Sequence, residues 1–219
     1  MIFLPVTRTF SLDAVVEALD ASDCPKNIFL YLDAPYMQCW VEAFEERGWT
    51  VVYYDSGRRT PPSDDTLNNR MNHVTMRQLS QRLLMQHTYP QTRLLCVEDD
   101  TIVPPDVWGS LDALLNEGYT AASGVQRDRR GTGLLGVWHY DTDSDCYDPM
   151  TLTPDSGVVE ADTVGHYCLM TTVETYVTTP IETRDDVPVD RQHTAQMAPI
   201  AVDTGVWCGH LTDKGDIIV

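Results

Sequence analysis

The chain has 219 residues, enough for one α/β domain with a sizeable core and a tight fit for two. Its 33 acidic side chains outnumber 15 basic ones, and the resulting charge of −18 repels polyanions and argues against broad, sequence-independent nucleic-acid binding. No apolar run approaches the ~20 residues of a membrane helix, and Met1 to Val6 lacks the charged start of a signal peptide, so no membrane partner is expected.

In chain order, Ile2 to Val6 reads as a short apolar strand, and Ser11 as the cap of a helix through Leu19. Ile28 to Leu32 is a second strand ending at Asp33, followed by a helix from Tyr36 to Arg47 that Gly48 closes. Trp49 to Tyr54 is a third strand, and the turn-rich run Ser56 to Asp65 an exposed loop. Leu67 to His87 forms a long helix carrying Arg70, Arg77 and Arg82. Arg93 to Val97 is a fourth strand, Pro104-Pro105 opens a helix through Leu115, and Tyr119 to Val125 is a fifth strand. Beyond it, Leu134 to Tyr140, Val158 to Thr172 and Ile200 to Leu211 are strand-like, the first two separated by the acidic stretch Asp141 to Asp155. This alternation predicts an α/β fold, a mostly parallel mixed sheet with helices on both faces, in one domain.

The six cysteines form no CxxC pair, and Cys96 and Cys168 lie in apolar runs where buried free thiols are expected. This usage suits a reducing compartment, the cytoplasm (the host's, for a viral protein). No GxSxG or P-loop motif is present. Gly131-Thr-Gly-Leu-Leu-Gly136 matches GxGxxG by letter but follows no first strand, and reads as a turn-forming segment.

In a parallel sheet, ligands gather beyond the carboxyl ends of the strands. Asp33, Asp55 and Glu98-Asp99-Asp100 stand there. In extended backbone Glu98 and Asp100 face the same way. Two carboxylates so placed repel unless a cation or proton intervenes, and their oxygens suit Mg²⁺ or Mn²⁺ with diphosphate completing the shell. The alternative is a solvated acidic turn in which Asp99 or Asp100 caps a helix. Thirteen of the basic residues are Arg, whose fork grips phosphate. Arg58 and Arg59 follow the third strand, and Arg127, Arg129 and Arg130 the fifth; they read either as phosphate contacts or as a loop offsetting acidic neighbours.

The string Leu94 to Pro105, Leu-Leu-Cys-Val-Glu-Asp-Asp-Thr-Ile-Val-Pro-Pro, resembles the strand, acidic motif and Pro-opened helix of GT-A glycosyltransferases, with Glu98 where Asp is usual. Arg70-Met-Asn72, Val159 to Met170 and Val202 to His210 resemble, in order, the element near the nucleotide, the strand flanking the sugar pocket and the final strand whose His completes the metal shell. By overall look the chain is similar to compact phage glycosyltransferases. The resemblance implies a GT-A-like, Rossmann-like domain over 1–219, with a nucleotide-binding half (1–125) and an acceptor and metal half (126–219). It implies a nucleotide-diphosphate sugar as donor, a UDP-sugar first, with Mn²⁺ or Mg²⁺ as cofactor. Asp100 and His210 are the implied metal ligands. Asp33, Arg70, Glu98, Asp99 and Arg127 are the implied nucleotide and phosphate contacts, Glu98 through either metal or ribose. Asp190 is the implied general base, with Asp185 and Asp186 as rivals; it equally suits a helix N-cap before Arg191 to Met197. Arg191 and His193 would face the acceptor. The acceptor implied is a hydroxyl, with a hydroxymethylated base of phage DNA as one case. Two other readings stand beside this one: a nucleotidyltransferase, although Pro5 to Phe10 lacks its Gly-rich loop, and a catalytically silent nucleotide-sugar-binding module.

Overall fold

The run Ile-Phe-Leu-Pro-Val near the N-terminus is buried along its whole length, as a strand covered on both faces must be. The computed structural model describes residues 1–33, 37–57, 66–127, 135–181 and 189–219, with the backbone alone for 66–73 and 190. The first half contains β1 (Ile2–Val6), α1 (Leu12–Ala21), β2 (Asn27–Leu32), α2 (Gln38–Glu46), β3 (Thr50–Asp55), α3 (Thr66–His87), β4 (Arg93–Val97), β5 (Thr101–Ile102), α4 (Val107–Asn116) and β6 (Ala121–Gln126). The second contains β7 (Val137–Asp141), β8 (Cys146–Pro149), β9 (Val158–Ala161), β10 (Thr163–Val164), β11 (Cys168–Thr172), α5 (Val173–Thr178), α6 (Val189–Ala195), β12 (Ile200–Leu211) and β13 (Ile217–Ile218).

The main sheet runs β13-β12-β6-β11-β4-β1-β2-β3, with β5 and β9 pairing to β12. Strands β1, β2, β3, β4, β6 and β12 run one way; β11 and β13 run against them. The α/β fold with a mixed, mostly parallel sheet is therefore as expected. The stretch Val158 to Thr172 is not one strand. It breaks at Asp162 and again at Gly165 to Tyr167, giving β9, β10 and β11 separate partners. A small sheet β10-β7-β8 covers the acidic stretch, which is a hairpin in part.

Period-two alternation divides the core between two faces. Ile2, Leu4 and Val6 pack with Val15, Val16 and Leu19 of α1, Trp40 and Phe44 of α2, and Leu111 of α4. Phe3, Phe29 and Tyr31 pack on the opposite face with Met76 and Leu84 of α3 and Val173 and Tyr176 of α5. Helices thus cover both faces. None of the described helices is long and apolar enough to cross a membrane. All six cysteines are free thiols; Cys96 and Cys168 are fully buried, and burial pushes the Cys96 thiol up to about 12.

Local corrections have simple causes. Ser11 holds the N-cap position of α1, but its hydroxyl donates to the Asp99 carbonyl instead of capping the helix. Pro104 and Pro105 precede α4 and do not open it; its first turn is held by Asp23, whose carboxylate accepts from the Trp108 and Gly109 amides at 2.8 and 2.7 Å. Helix α2 ends as expected, with Gly48 at φ 76° just beyond it.

Of the GxGxxG-like run, 131–134 lies outside the described residues. Gly136 allows a close approach: a Cβ there would stand 2.2 Å from the Tyr167 ring, whose hydroxyl donates to the Gly124 and Gly136 carbonyls at 3.2 Å each. Gly124 is as tight, since its Cβ would lie 2.7 Å from both the Val206 carbonyl and a Val206 methyl. Because one obstacle is backbone, Gly124→Ala should cost roughly 1–3 kcal/mol in a urea titration, as overpacked cores do.

Candidate functional site

The chain leaves β1 toward β2 on one side and returns to β4 on the other, so the sheet has its switch point between β1 and β4. Pro5 helps open this crevice. Met1 offers its carbonyl to Leu95, so odd-numbered residues of β1 address β4, and Pro5 has no N–H to give. The β1–β4 ladder accordingly stops at Phe3 and Cys96. Beyond the gap, segment 7–11 meets the turn at Glu98-Asp99-Asp100.

That turn is not extended. The Thr101 amide donates to the Glu98 carbonyl at 3.0 Å, which folds the three acids into a turn. The extended backbone expected from Glu98 to Asp100 is therefore absent: Asp99 and Asp100 share Arg8, while Glu98 lies 3.9 Å from Arg77. Asp99, 3 % exposed, faces segment 7–11. Its Oδ2 accepts from the Thr7 amide (2.6 Å), the Thr7 hydroxyl (3.0 Å) and the Arg8 amide (3.1 Å), and its Oδ1 pairs with Arg8 Nε at 3.2 Å. Burial pushes the Asp99 carboxyl above its ordinary range, against the pull of Arg8 and Thr7.

Asp100 is also buried. Its Oδ2 is shared by the Arg8 guanidinium and by His210 Nε2, the latter at 3.2 Å. His210 comes from the end of β12, which β5 ties to the acidic turn through the Thr101–His210 pairing. Gln126, closing β6, braces the junction by donating to Thr101 Oγ1 at 2.9 Å and the Gly209 carbonyl at 3.3 Å. The other ring nitrogen, His210 Nδ1, lies 3.1 Å from the Arg127 carbonyl. Burial resists charge on His210, but Asp100 and the Arg127 carbonyl outweigh it and raise the pKa above 6.5. Likewise, burial opposes charge on Arg8, yet Asp99, Asp100 and Glu98 hold it more firmly protonated than usual.

Glu98 is half-exposed and lies 3.9 Å from Arg77 of α3, which is 4 % exposed. Arg77 also meets the Tyr176 hydroxyl at 3.5 Å and the Phe3 ring at 5.9 Å. Asp33 is buried just past β2, its amide donating to the Val6 carbonyl at 2.9 Å. Arg127 lies over the Trp207 ring at 5.5 Å. Arg70 sits in the first turns of α3, but its side chain, like those of Arg58, Arg59, Arg129, Arg130, Asp185 and Asp186, lies outside the described residues. Asp190 also has only its backbone described. It is the second residue of α6, inside the helix rather than capping it. His193 does not face an acceptor: it is fully buried, with Nδ1 3.1 Å from His166 Nε2 and Nε2 3.2 Å from the Tyr176 carbonyl. Arg191 stacks on Trp138 at 3.6 Å.

Arg8 and Gln126 escaped the sequence reading. The signal for Arg8 was available, because a cation directly after a first strand lands at the switch point. The Pro5 to Phe10 run lacks Gly but carries this cation.

Among the described residues, no group of three or more His, Cys, Asp and Glu side chains is arranged to hold a metal ion. Asp100 and His210 nevertheless fit as two ligands of one. They pair a hard oxygen with an imidazole, and the Arg127 carbonyl receives the remaining ring N–H, the support that metal-bound histidines usually have.

No family model matches the chain, and no curated protein matches it in sequence. Solved structures do match in fold. A197 from STIV shares 12 % identity at TM-score 0.59, over 100 % of this chain and 92 % of that one. GalNAc-T7, solved with UDP, GalNAc and Mn²⁺, shares 12 % identity at TM-score 0.64; the match covers 95 % of this chain but only 43 % of that protein. A Bacillus anthracis protein assigned as a glucose-1-phosphate thymidylyltransferase shares 10 % identity at TM-score 0.58, over 98 % and 90 % of the two chains. At these identities the likeness is one of fold, and this chain has the GT-A-like α/β fold that glycosyltransferases and nucleotidyltransferases share.

Proposed function

We propose that this protein is a metal-dependent glycosyltransferase that moves a sugar from a nucleotide-diphosphate donor, a UDP-sugar first, to a hydroxyl acceptor. The observation that carries the reading is the meeting of Asp100 and His210, 110 residues apart in sequence, at the carboxyl edge of the sheet. A fold shared with a glycosyltransferase solved with UDP and Mn²⁺ supports it. Asp100 and His210 would hold Mn²⁺ or Mg²⁺, which when bound neutralises charge developing on the leaving diphosphate. The half 1–125 supplies Asp33 and Arg70 toward the nucleotide, Glu98 toward ribose or metal, and Asp99, which serves through Thr7 and Arg8 rather than by its own contact. The half 126–219 supplies His210, Arg127 toward phosphate, and Asp190 as general base for the acceptor hydroxyl. A hydroxymethylated base in phage DNA remains one acceptor of this class.

UDP and Mn²⁺ together should raise Tm by about 5–10 °C at ligand near 100 times Kd. Asp100→Ala should remove that shift. Failure of every nucleoside diphosphate with metal to stabilise the protein would sink the reading. Nucleotidyl transfer is the second reading, favoured by the fold match to the thymidylyltransferase and by a cation directly after β1. Pyrophosphate release from a nucleoside triphosphate and a sugar phosphate would establish it.

A further inference from the structure

The Arg8 guanidinium reaches two carboxylates by different atoms. Nε pairs with Asp99 Oδ1 at 3.2 Å, while Nη1 contacts Asp100 Oδ2, the oxygen that His210 Nε2 also approaches. The Arg8 backbone is pinned independently: its amide donates to Asp99, and its carbonyl accepts from Trp40 Nε1 at 2.9 Å. Trp40 is itself buried in the core against Phe44, so the backbone anchor is held by the core while the Arg8 side chain is 31 % exposed. Arg8 borders a cavity of about 370 Å³ lined also by Phe10, Asp100, Leu211, Thr212 and Asp213. Arg8 therefore has a fixed anchor, a contact on the candidate metal-ligating oxygen, and space into which the guanidinium can turn.

A divalent cation on Asp100 Oδ2 would lie within a few ångströms of Nη1. Like charges that close repel by several kcal/mol even at an effective dielectric of about 20. Only the Asp99 contact can survive such a meeting. We infer that Arg8 is a tethered counter-ion that holds Asp100 while no metal is bound, is displaced from it by a divalent cation, and then offers its charge to an anionic ligand such as a diphosphate. The inference rests on the reading that Asp100 and His210 hold the metal. It makes metal and anion cooperative: metal frees the guanidinium, and the anion gives the freed charge a partner.

Mn²⁺ binding followed by electron paramagnetic resonance, without and with UDP, tests this on the full chain. With Arg8→Ala, Mn²⁺ alone should bind at least about tenfold more tightly than to the unaltered protein, because the competing cation is gone. UDP should tighten Mn²⁺ binding strongly in the unaltered protein and much less in Arg8→Ala. Unchanged or weaker Mn²⁺ binding by a folded Arg8→Ala, with Asp100→Ala abolishing binding, overturns the inference and leaves the metal site standing. Absence of Mn²⁺ binding in both the unaltered protein and Arg8→Ala overturns both readings. Should Arg8→Ala fail to fold, the unaltered protein still decides the matter. Its Arg8 guanidinium resonances, identified by their loss in Arg8→Lys, should move as Mg²⁺ is added; resonances that stay fixed while Mg²⁺ binds overturn the inference.

Discussion

Asp99→Ala should destabilise the fold by about 3–5 kcal/mol, the usual cost of removing one partner from a buried ion pair. Burial raises the pKa of Asp99, so its own ionisation is not where the stability comes from. What the carboxylate provides is satisfaction of others. Without it the Thr7 and Arg8 amides, the Thr7 hydroxyl and Arg8 Nε lose their common acceptor at the switch point. For a chain of 219 residues the loss corresponds to a fall in Tm of roughly 6–20 °C. Asp99→Asn, which keeps one oxygen acceptor but not the charge, should cost less than half as much. Equal melting curves for Asp99→Ala and the unaltered protein would show that segment 7–11 is held by Trp40 and Ser11 alone.

The same residues show what was legible in the sequence. Arg93–Val97 and Ile200–Leu211 have the bounds expected of them, the first because a short apolar run specifies a buried strand by itself, the second through strand-like alternation. The meeting of Asp100 with His210 followed from a family resemblance, not from spacing. No local rule brings together residues separated by most of the chain. The direction of the three acidic side chains was illegible for a related reason. Period two holds only while the strand continues, and the Thr101–Glu98 hydrogen bond that ends it depends on β5 docking against β12. Ser11 is the clearest case. By local rules it is a helix cap, yet its hydroxyl donates to the Asp99 carbonyl, a partner that only the folded sheet brings within reach.

Acid should weaken this protein through His193 as pH falls from about 6.5 toward 4. Burial, aided by the Arg77 charge, lowers the His193 pKa from 6.5 to about 4. The ring is neutral in the fold, while the unfolded chain binds a proton near pH 6.5. Between those values the unfolded state holds more protons, so stability rises with pH there. The contribution is complete above about pH 6.5 and is lost as pH falls toward 4, amounting to about 3 kcal/mol. Arg77 places a buried cation beside Tyr176, which both the His166 and His193 rings touch, and with burial it outweighs the carbonyls of Tyr176 and Thr179 that favour the protonated ring. His193→Gln should therefore be less stable than the unaltered protein at pH 7.5, since packing with His166 is lost, yet flatter with pH. Urea midpoints for the two proteins should converge as pH falls from 7 to 4.5, and parallel curves over that range would remove His193 as the cause. Because α6 carries both His193 and Asp190, the loss should begin at the helix that bears the proposed general base. Hydrogen exchange should find α6 opening first in acid, ahead of β1 and β4.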